Sequence, residues 1–253
     1  MRRWVLLGIG ALLVTPAAVF AQPKADQPAP SPPPGMALYY FGLLNRGPAW
    51  TPEKTEATER IQAGHMANIN RMAEAGALVA AGPMAGDGPL RGIFVFTVKT
   101  AEEARALAAA DPAIQAGRLT LDVHPWMGPA GIGARYAAET KADPSLTIPM
   151  RTYQLGLLKV VPGAPAADAD AQRGHLQHIA AMQAAGKLAA VGPVTDGGPI
   201  AGIFVFNTDA AEALGLASED PLVKAGRLKI ELFTWWCAEK VMPDKLPLVP
   251  VPK

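Results

Sequence analysis

The sequence predicts an α+β fold in which one chain contains two ferredoxin-like βαββαβ domains. The first observation behind this prediction is a long internal repeat, since residues 78–96 and 188–206 share two Gly-Pro steps followed by Gly-Ile-Phe-Val-Phe. Gly82 and Gly192 are 110 residues apart, and so are His65 and His175. A period of this length is typical of a small domain that has been duplicated, rather than of a solenoid of short repeats.

The second observation is that strands and helices follow the same order in both copies. Thr51-Pro52-Glu53 combines a capping residue with proline at the first helical position, so we expect Thr51 to be the N-cap of the first helix. Thr100 is expected to cap the second helix. The first copy is predicted to have a strand at 37–44, a helix ending near 76, strands at 78–81 and 93–98, a helix at 101–110 and a strand at 118–126. The second copy is predicted to have a strand at 152–158, a helix at 167–185, strands at 188–191 and 203–207, a helix at 210–217 and a strand at 227–236.

One strand in each copy indicates how the two sheets pack. Residues 93–96 and 203–206 both have the sequence Ile-Phe-Val-Phe, which is apolar on both faces of a strand. A single sheet covered by helices on one side would place polar residues on the other side. We therefore expect the sheet of one copy to cover the sheet of the other. The result would be an intramolecular pseudo-dimer with a barrel-like or a sandwich interior.

The N-terminus has the features of a secretory signal peptide. Arg2 and Arg3 precede an apolar stretch at 4–20, and Val19-Phe20-Ala21 is a small-residue cleavage site. The alternative, an uncleaved membrane anchor, fits less well because the apolar stretch is short and contains Gly, Thr and Pro. We expect a periplasmic or secreted protein with no membrane segment after cleavage. The predicted boundaries are a signal peptide at 1–21, a Pro-rich linker at 22–36, domains at 37–126 and 151–236, a linker at 127–150 and a tail at 237–253.

Charge and cysteine content limit the partners and the cross-links that the chain can have. The net charge is +1, and loss of the two positive charges of Arg2 and Arg3 would make it −1. With no basic run, nucleic acid is not an expected partner. Cys237 is the only cysteine, so an intramolecular disulfide is excluded. We expect either a monomer that acts as a pseudo-dimer or a higher oligomer, with a small molecule as the candidate partner.

Two polar motifs are retained in both copies. Gly-His lies within the first helix of each copy, at His65 and His175, and Asp-Pro follows the second helix, at Asp111 and Asp220. Each histidine lies on an apolar helix face, where a buried imidazole needs a hydrogen-bond partner. A carboxylate is a suitable partner because it fixes the tautomer of the ring. The structural alternative is a core histidine and a helix-capping aspartate with no role in chemistry.

The ordered set of motifs resembles the YCII-related (YciI-like) family. It consists of Gly-His-x-x-x-Ile, then Ala-(Ala/Val)-Gly-Pro, Gly-Ile-Phe-Val-Phe, Asp-Pro and Ala-Gly-Arg-Leu, and it spans residues 38–126 and 153–235. The resemblance implies a dimeric α/β-barrel fold. It also implies a His–Asp dyad, which falls on His65 with Asp111 and on His175 with Asp220. A dehydrochlorinase that acts on a hydroxylated aromatic is similar, whereas the leader and the tandem copies depart from the usual small cytoplasmic form.

Such a dyad suits proton transfer without a cofactor, as in an isomerase or a lyase that acts on a ring or enol-type substrate. Arg118 and Arg227 are candidates for stabilising a developing oxyanion, although arginines at strand starts are commonly solvated. The alternatives to an enzyme are a non-catalytic periplasmic module that binds a small molecule between the sheets, and a module that binds a partner protein. The sequence has no Gly-x-Ser-x-Gly, His-Glu-x-x-His or phosphate-binding loop. We therefore expect no cofactor.

The two copies also differ at positions that could affect chemistry. His178 lies one helical turn after His175, a spacing that can hold a metal ion, but the first copy has Asn68 at this position. No third ligand is evident, so we predict no metal site. In the last strand, Asp122, His124 and Trp126 share a face, and the second copy has Glu231, Phe233 and Trp235 at the same positions. This difference indicates either that the two copies line the interior with different side chains, and so form unlike sites, or that their sequences have drifted neutrally after duplication.

Overall fold

The computed structural model describes residues 31–166, 168–249 and 251, and this part of the chain contains eight strands and seven helices. The predicted signal peptide at 1–21, and residues 22–30 of the predicted linker, lie outside the described residues. Within the described ranges, no helix is both long enough and apolar enough to cross a membrane.

The first unit has the predicted βαββαβ order. Its elements are β1 Met36–Arg46, α1 Glu56–Glu74, β2 Leu78–Pro83, β3 Leu90–Phe96, α2 Ala101–Ala109, the four-residue α3 Pro112–Gln115 and β4 Leu119–Pro129. A further helix, α4 Ala134–Ala142, follows this unit.

The second unit repeats the order of the first. Its elements are β5 Met150–Val160, α5 Ala169–Ala184, β6 Leu188–Pro193, β7 Ile200–Phe206, α6 Ala210–Ser218, α7 Pro221–Lys224 and β8 Leu228–Ala238. Each unit forms a four-stranded antiparallel sheet, with the orders β2-β3-β1-β4 and β6-β7-β5-β8. The predicted ferredoxin-like topology is confirmed.

The two sheets meet at both edges and enclose one apolar interior. At one edge, Ala85 N donates to Thr234 O at 2.8 Å, and at the other edge Thr195 N donates to Pro125 O at 2.9 Å. The enclosed cluster, here called the shared interior, takes side chains from both units, including Phe41, Ile93, Trp126, Leu155, Ile203 and Trp235. The prediction that each sheet covers the other is thus confirmed, with a barrel as the outcome.

The repeated Gly-Pro step explains how the edges come close together. A side-chain carbon on Gly82 would lie 1.9 Å from the carbonyl oxygen of Trp236. A side-chain carbon on Gly192 would lie 1.8 Å from the carbonyl oxygen of Met127. Only glycine permits such a backbone approach, so these two positions allow β2 to lie against β8 and β6 against β4.

The helices cover the outer faces of the two sheets. In the first unit, Met72 of α1 and Ala104 and Ala108 of α2 pack on Phe94 and Phe96 of β3. In the second unit, a matching cluster joins α5 and α6 to β7. Each strand of the Ile-Phe-Val-Phe type therefore contributes to two cores, which is why it is apolar on both faces.

The predicted start of the first helix is wrong. Helix α1 begins at Glu56, and its N-cap is Thr55, whose Oγ1 accepts from Thr58 N at 3.2 Å. Thr58 in turn accepts from Thr55 N at 2.9 Å, which completes a reciprocal capping box. Thr51 instead accepts hydrogen bonds from Arg118 through its hydroxyl and carbonyl oxygens.

The segments between and after the two units are more ordered than the sequence indicates. The predicted linker at 127–150 contains helix α4 and the last residues of β4. The predicted tail at 237–253 places Val241 and Met242 in the shared interior. Further along the tail, Val249 N donates to Gln183 Oε1 at 3.1 Å.

Candidate active site

Asp111 is held by groups from two helices. It is the N-cap of α3, and its Oδ1 accepts from Ala113 N at 2.9 Å. Its Oδ2 accepts from His65 Nδ1 at 2.7 Å and from Asn68 Nδ2 at 3.2 Å, both on α1. The carboxylate is fully buried, so these hydrogen bonds are what make its burial tolerable.

His65 lies between α1 and the outer face of the first sheet. Its ring stacks on Phe94 with centroids 6.0 Å apart and an interplanar angle of 21°. The side chain is 11% exposed. In the described part of the chain, Nε2 has no hydrogen-bond partner, and it is not among the buried unpaired atoms. The nitrogen opposite Asp111 is therefore open to solvent.

The second unit builds the same arrangement. Asp220 caps α7 through Leu222 N at 2.8 Å, and its Oδ2 lies 2.6 Å from His175 Nδ1. The His175 ring stacks on Phe204 at 6.5 Å, and the side chain is 12% exposed. The structure thus brings together both residue pairs that the sequence singled out, outside the barrel rather than in the shared interior.

The glycine before each histidine brings the helix close to the aspartate. A side-chain carbon on Gly64 would lie 2.8 Å from Cγ of Pro112, and one on Gly174 would lie 3.1 Å from Cγ of Pro221. The Gly-His and Asp-Pro motifs are therefore two halves of one contact. The glycine admits the proline ring, and the histidine then reaches the aspartate that precedes this ring.

The environment of Asp111 favours its ionised form. Burial alone raises the pKa of a carboxyl group, but here several favourable contacts outweigh it. They are the hydrogen bond and charge of His65, the Ala113 N–H and the Asn68 amide, and together they hold the pKa of Asp111 below its ordinary value. At neutral pH the group accepts hydrogen bonds and does not supply a proton.

The polar surroundings of the two pairs differ. In the first unit, Arg71 Nη2 donates to Asn68 Oδ1 at 2.7 Å, so a chain of hydrogen bonds runs from Arg71 through Asn68 to Asp111. Beyond Arg71 lies an apolar surface groove of about 470 Å³ between α1 and α2. In the second unit, His178 replaces Asn68 and donates instead to Leu216 O at 2.8 Å.

The two arginines predicted as oxyanion candidates bind elsewhere. Arg118 donates to the hydroxyl and carbonyl oxygens of Thr51 at 3.0 and 2.7 Å. Arg227 contacts Asp168 Oδ2 at 3.5 Å. Both arginines tie the start of a last strand to the segment before the first helix of the same unit. Neither one hydrogen bonds to a His–Asp pair.

Sequence reasoning missed a third His–Asp contact, which joins the two units. His124 Nδ1 lies 2.7 Å from Asp196 Oδ2, and His124 Nε2 lies 3.0 Å from Asp122 Oδ2. His124 is buried, and its counterpart in the second unit is Phe233. The only sequence signal was this difference between the copies. Among the described residues, no group of three or more His, Cys, Asp or Glu side chains is arranged to hold a metal ion.

The large side chains between the sheets fill space. Trp126 and Trp235 are almost fully buried, and Trp126 Nε1 donates to Gly192 O at 3.1 Å. Cys237 is also fully buried, and burial raises the pKa of its thiol to about 12. The thiol therefore stays protonated, which excludes it as a nucleophile at neutral pH.

Comparison with known proteins gives one family match and several structural neighbours. The YCII-related domain matches residues 48–127. No curated protein matches the chain significantly.

The solved structures that resemble the chain include chlorite dismutases. A mutant chlorite dismutase from Candidatus Nitrospira defluvii has 14% identity and a TM-score of 0.51, with 79% of this chain and 91% of that chain covered. A second mutant of that enzyme has 15% identity, the same coverage and a TM-score of 0.49. A proposed monooxygenase from Lactobacillus acidophilus has 14% identity and a TM-score of 0.43, with 79% and 94% covered.

At such identities the structural likeness concerns the fold alone. It agrees with the barrel of two βαββαβ units, and the family match covers the segment that holds His65 and Asp111. Residues 48–127 therefore match the YCII-related domain, and the barrel of two βαββαβ units is a fold of the dimeric α/β-barrel type that resembles the chlorite dismutase structure.

Proposed function

We propose that the protein is an exported enzyme that catalyses proton transfer on a small ring or enol-type substrate, as an isomerase or a lyase, without a cofactor. The observation that carries this proposal is the His65–Asp111 pair. One ring nitrogen faces a buried carboxylate at 2.7 Å, while the other nitrogen is open to solvent and has no partner in the described part of the chain.

The chemistry follows from the two ends of the imidazole. Asp111 accepts only, so Nδ1 carries the proton and the lone pair lies on Nε2. A neutral imidazole in this tautomer can abstract a proton from carbon or oxygen. The nearby carboxylate then stabilises the imidazolium, which returns the proton at a second position of the substrate. The lowered pKa of Asp111 supports this role, because the group stays charged at working pH.

We assign the main activity to the first unit. Asn68 restrains the carboxylate of Asp111 through a second hydrogen bond, and Arg71 restrains Asn68. Asp220 lacks this second donor because His178 is bonded to a backbone carbonyl. A general base must be held in a defined geometry to act efficiently, so the better restrained pair is the better candidate.

The alternative function is a non-catalytic module that binds a small molecule or a partner protein in the periplasm. One observation favours it: Asp111 also caps α3, so the pair can serve simply to fasten α3 to α1. Under this alternative, loss of the histidine weakens the fold but affects no ligand in particular.

A ligand screen separates the two functions. The thermal stability of the protein would be measured with a panel of cyclic acids, lactones and phenols, beside an H65Q/H175Q double variant and an H178Q control. The proposal expects at least one compound that stabilises the wild type and H178Q but not the double variant. Compounds that stabilise all three proteins equally would favour the binding module, and a panel with no hits would count against a site at the dyads.

A further inference from the structure

A second candidate site lies at one end of the second sheet. Here a cleft of about 450 Å³ opens where β5 and β6 begin and where β7 and β8 end. Helix α4 and the segment after β8 form its outer wall. The volume falls in the range of small-molecule sites. None of the four residues of the two His–Asp pairs lines it, so the cleft is separate from the site described above.

Most charges around the cleft are already paired with one another. Arg135 contacts Glu139 at 3.0 Å and Asp244 at 2.7 Å. Lys240 also pairs with Glu139, and its backbone has a φ of 67°, a left-handed conformation that no other non-glycine residue in the described ranges adopts. Arg135, Lys240, Glu139 and Asp244 therefore form a network of ion pairs beside the cleft, in which each charge has a partner within the protein.

Two charges in the cleft are left over, and they have opposite signs. Arg151 lies over the Tyr153 ring at 4.6 Å and donates to Asn207 Oδ1 at 2.6 Å. It forms no ion pair with any carboxylate of the described chain, and Glu239 likewise forms none with any cation there. A guanidinium and a carboxylate, neither of which has an ion-pair partner in the described chain, therefore line the same cleft.

The strand register places these two charges side by side. Arg151 of β5 is paired with Cys237 of β8, and Glu239 lies two residues beyond Cys237. Glu239 follows the end of β8, and its N donates to Pro149 O at 2.9 Å, two residues before Arg151, so both side chains line the same cleft. Their long side chains can bind the two ends of one small ligand, and they form no ion pair with each other.

The same end of the first unit is built differently. Tyr39, the counterpart of Tyr153, donates through its hydroxyl to Pro129 O at 3.1 Å and accepts from Ile132 N at 3.3 Å. The residue in the position of Arg151 is Ala37, which is opposite Gly128 in the sheet. In the first unit, backbone groups thus occupy the Tyr39 hydroxyl, and the position of Arg151 has no guanidinium. The cleft is therefore specific to the second unit.

Three apolar residues complete the lining of the cleft, which is otherwise mostly polar. Leu188, Ala189 and Met242 line it, and Met242 also belongs to the shared interior. Tyr153 adds a phenol that stays protonated, because burial raises its pKa. The cleft therefore offers a cation, an anion, a neutral donor and an apolar surface within one volume.

We propose that this cleft binds a free amino acid in its zwitterionic form. The guanidinium of Arg151 takes the α-carboxylate, and the carboxylate of Glu239 takes the α-ammonium. A zwitterion matches the site because a simple anion would leave Glu239 unpaired and a simple cation would leave Arg151 unpaired. This inference goes beyond the proposed function and does not depend on it.

The test begins with a thermal-shift panel of the twenty amino acids on the full chain, followed by calorimetry on the best binder. That amino acid would be compared with the acid that lacks its amine and with the amine that lacks its carboxylate. A charge-assisted hydrogen bond is worth enough that each truncated analogue should bind at least about tenfold more weakly. This comparison uses the unaltered protein, so it does not depend on how any variant folds.

Variants then locate the site. R151Q and E239Q should each weaken binding by about tenfold or more, whereas R173Q should not, since Arg173 lies on α5 and pairs with Asp170 outside the cleft. The H65Q/H175Q double variant should bind the amino acid normally, which separates this proposal from the proposed enzyme. The proposal is overturned if no amino acid binds, if the acid without the amine binds equally well, or if R151Q and E239Q bind like the wild type.

Discussion

Gly64 of α1 lies directly against the ring of Pro112, so that an added side-chain carbon would come within 2.8 Å of Cγ. The contact sets the distance between α1 and the turn that carries Asp111. At this distance His65 Nδ1 lies 2.7 Å from the carboxylate. The glycine therefore positions the dyad although it takes part in none of its hydrogen bonds.

Substitution of this glycine should lower stability. G64A gains about 1 kcal/mol of helix propensity but forces the proline ring away, and overpacking of this kind costs about 1–3 kcal/mol. We expect a net loss in the free energy of unfolding, measured by chemical denaturation. G174A should lose less, because its nearest contact is 3.1 Å. G215A is the matched control, since no atom lies within 4 Å and the change should stabilise the protein by up to about 1 kcal/mol. A G64A protein stabilised as much as G215A would rule out the tight contact.

Asp111 should give the protein part of its resistance to acid. Because its folded pKa lies below the ordinary value, its contribution to stability is complete above the unfolded pKa, which is about 3.9. The contribution is lost as the pH falls from there through the folded pKa. D111N should therefore be less stable than the wild type at pH 7, by about 1–3 kcal/mol, and should lose less stability on acidification. The free energy of unfolding, measured from pH 7 down to about pH 2, tests this, and a parallel pH dependence for both proteins would contradict it.

Cys237 should be inert in the folded protein. It is the only cysteine of the chain, it is fully buried, and the pKa of its thiol is raised to about 12. A colorimetric thiol reagent at pH 8 should detect no thiol in the native protein and one per chain after denaturation. Rapid modification of the native protein would contradict this, because it would show that the thiol at the end of β8 is accessible to solvent.

The hydrogen bond between His124 and Asp196, which joins the two units, should contribute to barrel stability. His124 is buried and lies 2.7 Å from Asp196, which is partly exposed. A double-mutant cycle with H124F, which introduces the residue found at position 233, and D196N should give a coupling energy of about 1 kcal/mol. D122N is the control, because Asp122 is largely exposed and its pairing should contribute less. A coupling energy of zero would mean that the His124–Asp196 contact adds nothing to the packing and the backbone hydrogen bonds that join the two units.

The repeat made most of the fold predictable. Residues 93–96 and 203–206 are apolar on both faces, and this pattern alone indicated that each sheet covers the other. The residue pairs of the candidate site were predictable for the same reason, because Gly-His and Asp-Pro recur in both copies. Their proximity is set by local packing of α1 on the following turn, which both units share.

Features that one copy lacks could not be found in this way. His124 contacts Asp196 across the edge between the units. The second unit has Phe233 at the position of His124, so a comparison of the two copies does not indicate that His124 has a carboxylate partner. The cleft at Arg151 likewise depends on α4 and on the segment after β8, which have no counterpart in a repeat. The predicted start of α1 is wrong because Thr51 and Thr55 are both suitable caps. The structure distinguishes them through the capping box of Thr55 with Thr58 and the contact of Arg118 with Thr51.

The central claim, that the His–Asp pairs transfer protons, is tested most directly by hydrogen exchange at carbon. Compounds that stabilise the wild type would be incubated with the protein in deuterium oxide and followed by proton NMR. The account predicts that at least one of them exchanges a carbon-bound hydrogen for deuterium with the wild type and with H178Q, but not with the H65Q/H175Q double variant. Ligands that bind without exchange, or that exchange equally with the double variant, would contradict it.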